Sequence, residues 1–216
     1  MVFDLVAAVL HIDIYINQLI QQYGILIYVI LFLIIFIETG LVFFPFLPGD
    51  SLIFAAGAFA AIGSLDIALL FIVLAAAAIL GDTVNYWIGH HVGKRGFHKK
   101  IMKHVKRDYL KDTEDFYTKH GKKTIIIARF VPFIRTLAPF VAGLGKMDYK
   151  SFLAYNIIGG LVWVVFFLTT GFYLGNLPII KDNFGMFLIA IIVLSVFAGI
   201  LELLIHKHHE KRDQKS

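Results

Sequence analysis

The chain has 216 residues, is 59% hydrophobic and has a mean hydropathy of +0.79, well above the roughly 45–50% apolar share of soluble domains. That excludes an ordinary soluble enzyme and reads as an all-α integral membrane protein; the lack of any cysteine also excludes disulfides and thiolate metal sites. The net charge of +5 is unevenly placed: no Lys or Arg precedes Lys94, eleven fall in residues 94–123 and four follow His206. Such a distribution speaks of membrane topology and anionic headgroups, not of nucleic acid.

Residues 1–23 mix Val6, Leu10, Ile14 and Ile20 with His11, Asp13, Asn17 and Gln21, the pattern of an amphipathic helix lying at the interface. Residues 1–24 carry Asp4 and Asp13 and no basic residue, so they do not read as a secretory signal. The first deep apolar run, "GILIYVILFLIIFIETG" (24–40), spans a bilayer alone only if tilted or extended backwards. Two short apolar arms follow, 40–47 and 52–62, around "PGDS". Each arm would rise on the order of 15 Å as a helix, half of a ~30 Å hydrocarbon core. Pro45, Pro48 and Gly49 break the chain there, so the stretch 40–62 predicts a re-entrant hairpin. Irregular backbone at that depth has to be buried in protein or line a watery cavity.

A full span is expected over 66–89, ending in "GDTVNYWIG", followed by the basic loop 94–123. The stretch "TIIIARFVPFIRTLAPFVAGLG" (124–145) repeats the oddity, with Pro132 and Pro139 flanked by short apolar arms. It predicts a second re-entrant hairpin. Spans over 149–175 and 183–205, joined by "GNLPIIKDN", and a basic tail over 206–216 complete the chain. Residues 24–205 are expected to form a single membrane domain. "FPFLPGDSLIFAAG" and "VPFIRTLAPFVAG" share Pro-Phe-aliphatic and Ala-Gly, and each precedes a span closing in Gly-x-x-x-Gly, Gly89 to Gly93 and Gly171 to Gly175. With the basic loop and the tail inside the cell, the first hairpin dips from outside and the second from inside. Two like units of opposite orientation form an inverted repeat, the layout in which transporters build a midplane site.

Ionisable groups in such segments cost roughly 2.5–3.5 kcal/mol each on insertion scales. Glu38 and Asp50 come from the first hairpin region, Arg129 and Arg135 from the second. They are read either as ion pairs that neutralise one another or as the lining of a polar site. In the second reading the arginine forks would hold a phosphate, and the acids, poised between burial and a nearby cation, would take and release protons. Asp82 and Asn85, one turn apart, either hydrogen-bond the hairpin backbone or belong to the pathway. Trp87 and Trp163 are read as packing and interface anchors. Nine histidines include His90, His91, His98, His104, His120, His206, His208 and His209, but in no zinc-site pattern, so no metal is expected. No nucleotide loop and no paired nucleophile and base are present, so neither cofactor nor enzymatic activity is expected. The Gly-x-x-x-Gly pairs permit close helix packing within the chain or with a second copy, which is compatible with a homo-oligomer.

At "FIETGLVFFPFLPGDSLIFAAGA", "GDTVNYWIG", "KHGKKTIIIARFVPFIRTLAPFVAGLGKM" and "AYNIIGGLVW" the chain resembles the DedA family, the bacterial branch of the VTT-domain superfamily. The likeness runs from about residue 24 to 205. It implies a multi-pass protein of the bacterial cytoplasmic membrane with two re-entrant hairpins, whose essential residues correspond to Glu38, Asp50, Arg129 and Arg135. Members are linked to the proton-motive force and envelope integrity. Some are implicated in returning undecaprenyl phosphate across the membrane, others in phospholipid translocation. The expectation is therefore a proton-linked lipid-phosphate flippase, with membrane lipids and protons as partners. Its rivals are a passive phospholipid scramblase and a non-transporting assembly scaffold docked through the basic loop; a lipid-phosphate hydrolase lacks a convincing nucleophile.

Overall fold

The computed structural model describes residues 18–20, 22–41, 49–94, 117–131, 134–191 and 193. Among them there are helices and turns and no strand. The helices are α1 (Ile25–Gly40), α2 (Gly49–Ala61), α3 (Ile67–Lys94), α4 (Thr124–Ile127), α5 (Ile134–Leu144), α6 (Tyr149–Gly175) and α7 (Pro178–Lys181). Two helices, α3 and α6, are long and apolar enough to cross a membrane. The expected interfacial helix 1–23, the tip with Pro45 and Pro48, most of the basic loop and the tail 206–216 lie wholly or largely outside the described residues.

Local chemistry sets the helix ends. Asp66 starts α3 by accepting the Leu69 N–H at 2.7 Å, and the Asp66 N–H donates to the Tyr28 hydroxyl at 2.7 Å. Asp148 starts α6 in the same way, its carboxylate accepting the Ser151 N–H at 2.9 Å. Bonding to Ser151 is the main reason the Asp148 carboxyl is held below its ordinary value, with Lys122 and Lys150 adding to it. The second expected hairpin is broken where its sequence says. A 3-10 turn (Ala128–Phe130) ends at Val131 with φ −115° and ψ 109°, the extended backbone imposed on a residue preceding proline. Ile125 and Ala128 before that break and Ala138 and Ala142 after it share one core cluster with Tyr86 and Phe152. The arm before the break is thus folded back on the arm after it.

The chain falls into two compact units: residues 25–49 with 66–167, and residues 1–24, 50–65 and 168–216. In the first, α1, α5 and α6 all meet α3. Tyr28 sits at Asp66, whereas a methyl group on Gly40 would lie 3.4 Å from Gly81, so α1 and α3 run the same way. Of the expected arm 40–47, Gly40 closes α1, and residues 42–47 lie outside the described residues. α5 also runs with α3: Asn85 bonds Thr136, Gly89 meets Phe140 and Gly93 meets Leu144. α6 runs against α3, with Phe152 stacked on Tyr86 at 4.4 Å and Asn156 bonded to the Ile79 carbonyl at 3.0 Å.

Glycine makes the closest of these contacts. A methyl group on Gly89 would stand 2.1 Å from the Phe140 carbonyl oxygen, and one on Gly143 would stand 2.0 Å from that of Tyr86. The second unit contains a seam of the same kind between α2 and the end of α6. There a methyl group on Gly171 would stand 2.0 Å from the Phe54 carbonyl oxygen and one on Gly57 2.2 Å from that of Leu168, in the same sense. Phe184 and Phe187 close over it on Phe59 and Phe54, with ring centroids 5.3 and 5.9 Å apart.

Candidate functional site

Within the unit built around α3, the buried Arg129 and the half-buried Arg135 each hold a buried acid. Glu38 stands in the last turn of α1 and is 1% exposed. Its Oε1 accepts from Arg135 Nη2 at 2.7 Å and from the Gly49 N–H at 3.3 Å. Glycine at 49 leaves room for the Glu38 carboxylate, since a methyl group there would fall 2.1 Å from its Oε2. Glu38 thus ties the end of α1, the start of α2 and the first turn of α5 together. Arg129 lies in the 3-10 turn before Val131 and is 2% exposed. Its Nη2 donates to Asp82 Oδ2 on α3 and to Asn156 Oδ1 on α6, the latter at 2.5 Å. Asn156 is oriented for this by donating from Nδ2 to the Ile79 carbonyl.

The two pairs share a wall. Trp163 is fully buried, and its ring centre lies 5.8 Å from the Arg129 Cζ and 5.3 Å from the Arg135 Cζ, within cation–π range of both. Gly159 and Gly160 clear the path of the Arg129 side chain, since a methyl group on Gly159 would lie 3.2 Å from its Cδ and Nε. Asn85, fully buried, donates to the Thr39 carbonyl at 3.1 Å and the Thr136 carbonyl at 2.7 Å, locking α1 to α5 beside the acids. The cluster holds two carboxylates and two guanidiniums and is formally neutral. Burying four charges is tolerable only because each finds a partner. Arg129 is nevertheless under-used: among the described residues no acceptor meets its Nε or Nη1.

Five of the six expected site residues, Glu38, Asp82, Asn85, Arg129 and Arg135, come together here. Asp50 lies in the first turn of α2, in the other compact unit. The acid that meets Arg129 is Asp82 of α3. Asn85 bonds backbone of both hairpin regions, one of the two readings open for it. Asn156 and Trp163 were not singled out as site residues, although both sit in "AYNIIGGLVW". Trp87, by contrast, is 40% exposed beside His90 and His91, as expected of an interface anchor.

Two long apolar helices and a buried polar cluster among apolar segments define the class: an all-helical membrane protein. The VTT domain matches residues 47–173. Protein DedA of Escherichia coli K12 is 46% identical over 217 residues, covering 100% of this chain and 99% of the relative. An uncharacterized membrane protein of Mycobacterium leprae is 40% identical over 84% of this chain and 79% of its own length. Inner membrane protein YqjA of Escherichia coli K12 is 34% identical over 87% and 88%. No solved structure matches. The chain belongs to the DedA family of VTT-domain membrane proteins.

Proposed function

We propose that this protein is a proton-linked transporter of the bacterial inner membrane that moves a lipid phosphate between leaflets, with undecaprenyl phosphate as the first candidate. The naming of relatives as membrane proteins, one of them of the inner membrane, supports the location. The observation that carries the activity is the neutral cluster of two arginines and two acids buried among apolar helices. A purely structural ion pair is often no more stable than an apolar replacement, so two adjacent pairs call for a use. Arginine forks suit phosphate oxygens bidentately, and a carboxylate released from its arginine becomes a proton acceptor.

The basic loop places the end of α3 in the cytoplasm by the positive-inside rule. The run of α1 beside α3 then makes α1 enter from the outer face, and α5 leads back to the inner face. Glu38 and Arg135 meet where these two re-entrant hairpins approach from opposite sides. Asp50, at the start of α2, serves with Glu38 in gating and proton transfer. A membrane potential contributes about 2.3 kcal/mol per charge per 100 mV, enough to bias an otherwise reversible flip.

The test is translocation of a fluorescent or radiolabelled lipid phosphate in proteoliposomes under an imposed pH gradient. Arg135→Ala should abolish transport; full activity of that variant would remove the phosphate clamp. Equal rates in both directions and indifference to the gradient would reduce the protein to a passive scramblase.

A further inference from the structure

The two ion pairs of the cluster are not equivalent. Glu38 keeps a second donor, the Gly49 N–H, when Arg135 is engaged elsewhere. Asp82, 3% exposed, has Arg129 as its one partner among the described residues. Arg129 for its part carries two buried N–H groups, on Nε and Nη1, that no described residue accepts. Its Nη2 would still be held by Asn156 if Asp82 let go. Arg129 is therefore a pre-positioned fork with a replaceable ligand, whereas Arg135 is anchored.

Charge counting gives the consequence. With Glu38, Asp82, Arg129 and Arg135 ionised the cluster has no net charge. A singly charged phosphate headgroup entering it would leave one uncompensated negative charge in a water-poor site, which is prohibitive. One acid has to take up a proton as the phosphate binds, and Asp82 is the one that loses its one hydrogen-bonding partner among the described residues.

Resting on the phosphate reading above, we propose that Asp82 is a proton-carrying residue of the site: as a phosphate oxygen replaces its carboxylate on Arg129, Asp82 takes up one proton, so phosphate and proton are bound together. The step forms one O–H bond on Asp82, exchanges one ion pair for another, and keeps the net charge at zero. The groups that face Asp82 are Arg129, Arg135 on α5 and the Tyr117 phenol ahead of α4; Glu38 of α1 is held by Arg135. α6 carries no charged residue between Ser151 and Phe167, so it brings no other acid to Arg129. The chemistry recognised is a phosphate monoester or diester oxyanion, whether on a lipid or free in solution.

The experiment measures binding and proton uptake together, with full-length protein in lipid nanodiscs and weakly buffered medium. One arm adds inorganic phosphate; the other uses nanodiscs carrying a polyprenyl monophosphate. For the wild type we expect about one proton taken up per singly charged phosphate bound and an affinity that weakens about tenfold per unit rise in pH. Asp82→Asn, which mimics the protonated acid, should take up about one proton fewer than the wild type and show a pH dependence of affinity shallower by about tenfold per unit, whatever the phosphate's own second ionisation contributes to both. Equal proton uptake by Asp82→Asn and the wild type overturns the proposal. Failure of the wild type to bind in either arm overturns the phosphate reading itself. Binding in the lipid arm alone identifies the headgroup as the ligand; binding in both identifies free phosphate as sufficient. If Asp82→Asn does not fold, infrared difference spectra of the wild type with isotope-labelled aspartate decide. A protonated-carboxyl band appearing on phosphate addition supports the proposal, and its absence contradicts it.

Discussion

The seam between α2 and the end of α6 and the seam between α5 and the end of α3 use the same contact. In one, Phe54 and Gly57 meet Gly171 and Leu168; in the other, Phe140 and Gly143 meet Gly89 and Tyr86. In both, a Gly-x-x-x-Gly face accepts backbone carbonyls that no larger residue would admit. They differ in what lies beyond. Past the first seam are aromatic rings, Phe59 on Phe184 and Phe54 on Phe187. Past the second are Asn85, the two arginines and their acids. The contact is duplicated and the buried ion pairs are not.

The largest effect should separate the two regions outright. Arg129→Leu leaves Asp82 buried without its cation and should cost about 3–5 kcal/mol, read as a lowered thermal midpoint in detergent. Adding Asp82→Leu should restore much of that loss. If the double variant is as unstable as the single, the pair is not what balances the cluster.

A smaller pair of variants tests the likeness. Gly89→Ala and Gly171→Ala force a methyl group into a carbonyl oxygen at 2.1 and 2.0 Å, and each should cost about 1–3 kcal/mol. Similar losses in the two would confirm a shared device, whereas tolerance at one alone would make the resemblance superficial. Asn85→Ala strands the Thr39 and Thr136 carbonyls and should cost about 1–3 kcal/mol. Transport should fall with it, because α1 and α5 are then no longer locked beside the acids.

Much of this was legible in the sequence and some was not, for physical reasons. The charges announced themselves because an apolar chain has no other use for Glu38, Arg129 and Arg135, and Pro132 announced the break at Val131. The pairings did not. α1, α3 and α6 are apolar on every side, so no amphipathic stripe shows which face of α3 meets an arginine, and Asp82 could not be matched to Arg129. Hydropathy also carries no direction, so α1 read as an outgoing span although it runs with α3. Trp163 resembled any packing tryptophan until two guanidiniums were found against its ring.

The smallest effect concerns the start of α6. The Asp148 carboxyl is held low chiefly by its bond to Ser151, so its ionised form is favoured in the folded helix. That contribution is present at neutral pH and fades as pH falls through and below the carboxylate range. The protection factor of the Ser151 amide, its exchange rate relative to the intrinsic rate at the same pH, should fall there, and Asp148→Asn should remove that pH dependence without affecting either seam.

The most direct measurement is a structure of the protein in nanodiscs with a polyprenyl monophosphate bound. We expect headgroup density against Trp163, within hydrogen-bond reach of Arg129 and Arg135, with Asp82 displaced from its arginine. Headgroup density elsewhere, with both ion pairs still closed, would contradict a phosphate site built from these residues.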